Sequence, residues 1–164
     1  MKSKVRYLFF VLMLAAASSC TNSPNFPLIP EIEYLGASKI SMVQNSLNAD
    51  SIFIQISFTD GDGDLGGEIE GQSQNIFITD NRTGESYDRF RIPDIPQQGA
   101  SNGISGTITL RLYTTCCLFP DNIPPCEAPA DFPTNELTLD INIIDRAGNL
   151  SNTITTEPIT LLCE

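Results

Sequence analysis

The sequence predicts an all-β chain, folded as a single antiparallel β-sandwich of about seven strands. Two patterns predict it. From Glu31 onward apolar residues alternate in short runs of period two, and no long segment carries the 3.6-residue repeat of an amphipathic helix. Clusters of Gly, Pro, Asn and Asp separate those runs, as turns separate strands.

The elements follow in chain order. MKSKVRYLFFVLMLAAASSC sets Lys2, Lys4 and Arg6 ahead of an apolar stretch from Tyr7 to Ala17, the layout of a secretory signal over residues 1–19. That stretch is roughly half the length of about 20 residues that a membrane span needs. Residues 20–30, with three prolines after Cys20, read as a tether, and residues 31–164 as the β-domain. In SIFIQISF the side chains of Ile52, Ile54, Ile56 and Phe58 share one face of a strand over 51–58. NIFIT, from Asn75, is the next strand, and Asn81-Arg82-Thr83-Gly84 turns the chain into ESYDRFRI. After the Pro- and Gly-rich loop of residues 93–103, TITLRLYTT places Ile108, Leu110 and Leu112 on one face. LTLDINII does the same with Leu137, Leu139, Ile141 and Ile143, and TITTEPITLLC is the last strand. Between those two regions CCLFPDNIPPCEAPADFP holds too many prolines for a central strand and reads as a long loop.

Composition excludes several chemistries. Removal of 19 residues from 164 leaves 145, enough for one domain with a core. All 20 acidic residues stay while three of nine basic residues leave, so the mature chain carries a formal charge of −14. Such a surface repels nucleic acid and attracts divalent cations and basic proteins. With no histidine, the Ser-His-Asp and Cys-His systems and the commonest zinc ligand are missing. With no tryptophan, the strongest stacking platform for a sugar ring is missing too. Cys116, Cys117, Cys126 and Cys163 form an even set in an exported chain, which argues for two disulfides.

Ala17-Ser18-Ser19-Cys20 resembles the lipobox of bacterial lipoproteins, which implies acylation of Cys20 and an anchor in the cell envelope, with the outer membrane as the expected address. Ala17 stands where leucine is usual, so ordinary cleavage after Ala17 is the rival. The strand pattern, with TDGDGDLG and DRAGNLS, is similar to immunoglobulin-like or fibronectin-type-III-like modules of bacterial surface lipoproteins over residues 31–164, although the Cys-Trp-Cys arrangement of immunoglobulins is missing. In that topology the loops after residue 58 and at residues 145–151 share one end of the sandwich. Asp60, Asp62 and Asp64 would then face Asp145 and Asn149 and offer oxygens to calcium, which takes six to eight at about 2.3–2.6 Å. The same topology brings Cys163 to the opposite pole, beside Cys116 or Cys117, and leaves the other of those two for Cys126.

The acidic loop is not an EF-hand, because the sixth position is Leu65 and the twelfth Gly71. An acidic turn is the competing reading. Two exposed carboxylates about 6 Å apart repel by only about 0.7 kcal/mol in water, which a loop tolerates without a metal. Asn81-Arg82-Thr83 and Asn149-Leu150-Ser151 match the N-glycosylation triplet, as short patterns do by chance. Three functions remain: a non-enzymatic, lipid-anchored binding or structural module with an envelope protein or glycan as partner, a carbohydrate-binding module using Tyr87, Phe90 or Tyr113, and a hydrolase using a carboxylate pair such as Glu68 and Glu70.

Overall fold

In a computed structural model, which describes residues 25–69, 71–95 and 103–164, the described residues form ten strands and no helix. Cys20 and Glu70 lie outside them. The strands are β1 (Glu31–Ala37), β2 (Ser41–Val43), β3 (Ser51–Asp60), β4 (Ile76–Asp80), β5 (Glu85–Phe90), β6 (Ile104–Tyr113), β7 (Thr134–Leu137), β8 (Leu139–Ile143), β9 (Ile154–Thr155) and β10 (Ile159–Leu162). They make three sheets, ordered β1-β3-β6, β2-β10-β7 and β5-β4-β8-β9. The all-β expectation holds, whereas the count of about seven strands is corrected to ten, and the antiparallel expectation fails at one edge, where β2 runs parallel to β10.

Local chemistry explains the difference. LTLDINII is broken at Thr138, whose carbonyl accepts from the Asn81 N–H instead of joining the ladder, so β7 pairs with β10 and β8 with β4 and β9. TITTEPITLLC is broken between Thr155 and Ile159. Pro158 has no N–H to donate, and the Thr156 hydroxyl accepts from the Leu139 N–H while its own N–H donates to the Leu139 carbonyl. The strand expected from residue 107 instead starts at Ile104 and pairs along its whole length with β3, from Ser51 opposite Tyr113 to Asp60 opposite Ile104.

One hydrophobic cluster draws on all three sheets. Ile52, Ile54, Ile56 and Phe58 of β3 and Leu110 and Leu112 of β6 join Met42, Leu137, Ile159 and Leu161, and Ile76, Ile78, Leu139, Ile141 and Ile143. The alternation that places these residues inward also carries Asp60, the next inward position of β3, into the interior.

The two ends of the domain differ. At one, Cys117 pairs with Cys163 at a Cα separation of 6.0 Å, and Cys116 with Cys126 at 4.6 Å, within the range a disulfide spans. Gln44 joins the two there, accepting from the Cys117 N–H and donating to the Glu127 carbonyl. The other end carries the acidic loop. The stretch expected as a tether reaches this end: the Pro27 carbonyl accepts from the Gly61 N–H at 2.8 Å.

Candidate metal centre

The acidic loop leaves β3 at Asp60 and is pinned at three further points. Leu65 is fully buried in the core and drags the loop inward. At Gly66 a Cβ would lie 2.4 Å from the Pro93 carbonyl oxygen, and its φ of +90° is one that side-chain-bearing residues avoid, so only glycine passes there. Asn75, buried just ahead of β4, donates to the Gly67 carbonyl and accepts from the Ile92 N–H.

Two carboxylates of the loop are held by one oxygen each. Asp60 Oδ2 accepts from the Leu65 N–H at 2.8 Å, and Asp64 Oδ2 from the Ala147 N–H at 3.0 Å. Their Oδ1 atoms, and that of Asp62, are buried with no hydrogen-bond partner. The second loop supplies Asp145, fully buried, whose two oxygens accept from the backbone N–H and the side-chain amide of Asn149. The Arg146 N–H donates to the Asp64 carbonyl, tying the loops together.

One carboxylate oxygen each from Asp60, Asp64 and Asp145 therefore lies within 4.8 Å of the others. Two ligands on opposite sides of an ion at about 2.4 Å are separated by that distance, so all three atoms are close enough to bind one calcium-sized cation. Asp62 adds its unpartnered oxygen on the same loop. Asn149 acts as the donor that orients Asp145.

The electrostatics of this cluster are uncompensated. Burial, followed by the neighbouring carboxyls of Asp62 and Asp64, pushes the Asp60 carboxyl up to about 6 against the pull of the Leu65 N–H. Burial and then the Asp145 charge push Asp64 up to about 6. Among the described residues Arg146 forms no ion pair, and its Nη2 is buried without a partner. A buried carboxylate oxygen that accepts nothing costs on the order of 1–3 kcal/mol, and more when charged. A bound cation removes that cost.

The other candidates are arranged differently. Tyr87 and Phe90 pack against the core, and the Tyr87 hydroxyl donates to the Tyr113 carbonyl. The Arg111 guanidinium carbon lies 4.7 Å from the Tyr113 ring centroid, so it covers the ring that would stack on a sugar. Tyr87 and Tyr113 line a polar groove of about 530 Å³ with Asp80, Arg82 and Asp88. Arg82 is spent on Asp80, the Cys116 carbonyl and Asn135. Glu68 is exposed and pairs with Arg91 at 3.1 Å.

Of the five residues expected to converge, Asp60, Asp64 and Asp145 lie together, Asp62 sits on the same loop and Asn149 is bonded to Asp145, whereas nothing in the sequence marked Asn75 or Asn152. Asn152 clamps the start of β1, accepting from the Ile32 N–H and donating to the Ile32 carbonyl, both at 2.8 Å. Lone asparagines carry no spacing signal that would have marked them. No protein-family model matches the chain, and no curated protein matches it. A solved structure described as "X-ray structure of Northeast Structural Genomics Consortium target SoR45" is 13% identical, with a TM-score of 0.28 over 81% of this chain and 83% of that one. A likeness at that score carries no argument about fold or function.

Proposed function

We propose that this chain is a non-enzymatic, lipid-anchored module of the bacterial cell envelope, a binding or structural domain whose acidic pole is held by calcium. One observation carries the calcium part: three buried, unpartnered carboxylate oxygens on one loop beside a fourth buried carboxylate from another. The signal-like N-terminus and the lipobox-like Ala17–Cys20 carry the anchoring part.

The same reading treats the three sheets as two layers of one immunoglobulin-like sandwich. If β7 and β8 are one strand bent at Thr138, and β9 and β10 one strand interrupted at Pro158, the order becomes β5, β4, β8/β7, β9/β10, β2, facing β1-β3-β6. The parallel pairing of β2 with β10 is the one edge that departs from the antiparallel pattern of such a sandwich.

Extracellular calcium modules bind with dissociation constants of about 0.1–1 mM, so calcium at about 1 mM should stabilise the fold by about 0.4–1.4 kcal/mol. That corresponds to a rise in melting temperature of a few degrees, on the order of 2–6 °C. Asp64→Asn or Asp145→Asn should abolish the rise and Asp62→Asn weaken it, read by scanning calorimetry with calcium or chelator. Equal melting temperatures in both, with no heat on titrating millimolar calcium, would leave an acidic turn.

A further inference from the structure

We propose that the acidic pole is the face this domain turns toward a membrane, and that a divalent cation held by Asp60, Asp64 and Asp145 docks it there on anionic headgroups. The proposal rests on the cation-site and lipid-anchor readings above.

The N-terminal segment fixes the orientation. Besides the hydrogen bond from the Gly61 N–H to the Pro27 carbonyl, a Cβ on Gly61 would stand 2.4 Å from the Phe26 carbonyl oxygen, and one on Gly103 2.8 Å from the Phe26 ring. The acidic loop and residues 26 and 27 are in close contact, with no room for a side chain between them. Asn25 is five residues from Cys20, a reach of no more than about 18 Å even when fully extended. An acyl group on Cys20 would thus hold this pole, and not the disulfide pole, close to the bilayer.

The surface around the cluster suits an interface. Leu28 is 65% exposed, Ile29 53% and Leu150 53%, although Ile40 and Leu47, at 76% and 84%, are exposed elsewhere on the domain. Leu28 and Ile29 follow Pro27 directly, and Leu150 belongs to the loop that supplies Asp145. The Asn152 clamp on Ile32 ties the chain that follows Ile29 to the chain that follows Leu150. Without a cation the buried and flanking carboxylates repel anionic headgroups over about a Debye length, roughly 8 Å at physiological salt. With one, the repulsion falls. Three converging carboxylates also leave positions on a six- to eight-coordinate calcium that phosphate oxygens can fill. Leu28, Ile29 and Leu150 can then enter the interfacial region beside it.

Residues 20–164 with Cys20→Ser contain the core found among the described residues, from Ile32 to Cys163, and provide the unacylated test protein. It would be sedimented with vesicles of phosphatidylglycerol and phosphatidylcholine, or of phosphatidylcholine alone, in about 1 mM calcium or in chelator. Retention on the anionic vesicles should rise at least about tenfold with calcium, and Leu28→Ser with Leu150→Ser should reduce it about tenfold or more while leaving the calorimetric calcium heat unchanged. Calcium heat without vesicle retention overturns the membrane face and leaves the cation site standing. Retention that ignores calcium, that is equal on phosphatidylcholine, or that survives the double leucine substitution also overturns the proposal. Neither heat nor calcium-dependent retention removes the cation site and the proposal together, whereas acylation is read separately from the intact mass of the membrane form.

Discussion

Asp60 occupies the inward position that follows Ile56 and Phe58 on β3, so the alternation that builds the core also buries a carboxylate at its edge. Its pKa and that of Asp64 rise from 3.8 to about 6, chiefly through burial. The folded protein therefore binds protons more tightly than the unfolded chain between about pH 4 and 6. That contribution is fully present below the unfolded pKa and is lost as pH rises through the folded one. Without calcium, the melting temperature should be higher near pH 5 than near pH 7.5. Asp60→Asn should flatten the difference. Calcium should narrow or reverse it, because only the deprotonated carboxylates bind metal. Asp50, whose carboxyl is held low mainly by its hydrogen bond from Lys39, loses its contribution below 3.8 and so outside this window. A melting temperature that rises from pH 5 to 7.5 in chelator, and does so equally in Asp60→Asn, would contradict this account. The four acidic residues were legible because three alternate on one short loop and the fourth lies in a turn. Asn75 and Asn152 were not, since their roles depend on which backbone groups tertiary packing leaves unpaired.

Among elements, the strands with clean alternation, β3 and β6, stand close to where the pattern placed them, and the pattern failed where a strand changes partners. Period two reports which face is buried, and LTLDINII keeps one face buried straight through Thr138. The break is set by the Asn81 N–H arriving from the β4–β5 turn, a long-range event without a local signature. Residues 25–30 looked like a tether because they are rich in proline, yet proline also suits a segment that contributes carbonyls and needs few N–H groups. The cysteines were legible as a pair of bridges, with the choice between Cys116 and Cys117 left to the structure. Cys117–Cys163 closes a sequence separation of 46 and Cys116–Cys126 one of 10. Chain entropy then predicts losses of about 4 and about 3 kcal/mol for replacing each pair by alanine, read by denaturant unfolding. The order is the test. Equal or inverted losses would mean that native-state packing, with Gln44 lodged between the bridges, dominates the loop term.

For the whole molecule, the polarity of the domain follows from where charge and covalent staples fall. Disulfides close one pole, and the other gathers buried carboxylates and the incoming N-terminal chain. If residues 1–19 are removed as proposed, the formal charge of −14 that remains opposes spontaneous adsorption to an anionic surface, so the proposed residence at a membrane would need a covalent anchor. One acyl chain binds only reversibly, whereas several chains, at about 0.8 kcal/mol per buried methylene, hold firmly. The mature protein should therefore begin at an acylated Cys20 and fractionate with membranes even in chelator. Cys20→Ala should release it to the soluble fraction without lowering its melting temperature, because among the described residues the buried core runs from Ile32 to Cys163. Intact mass decides between the two processing routes. An N-terminus at Ser18 with no lipid mass would establish ordinary cleavage after Ala17 and would leave the cation-dependent contact of the acidic pole as the chain's sole proposed hold on a membrane.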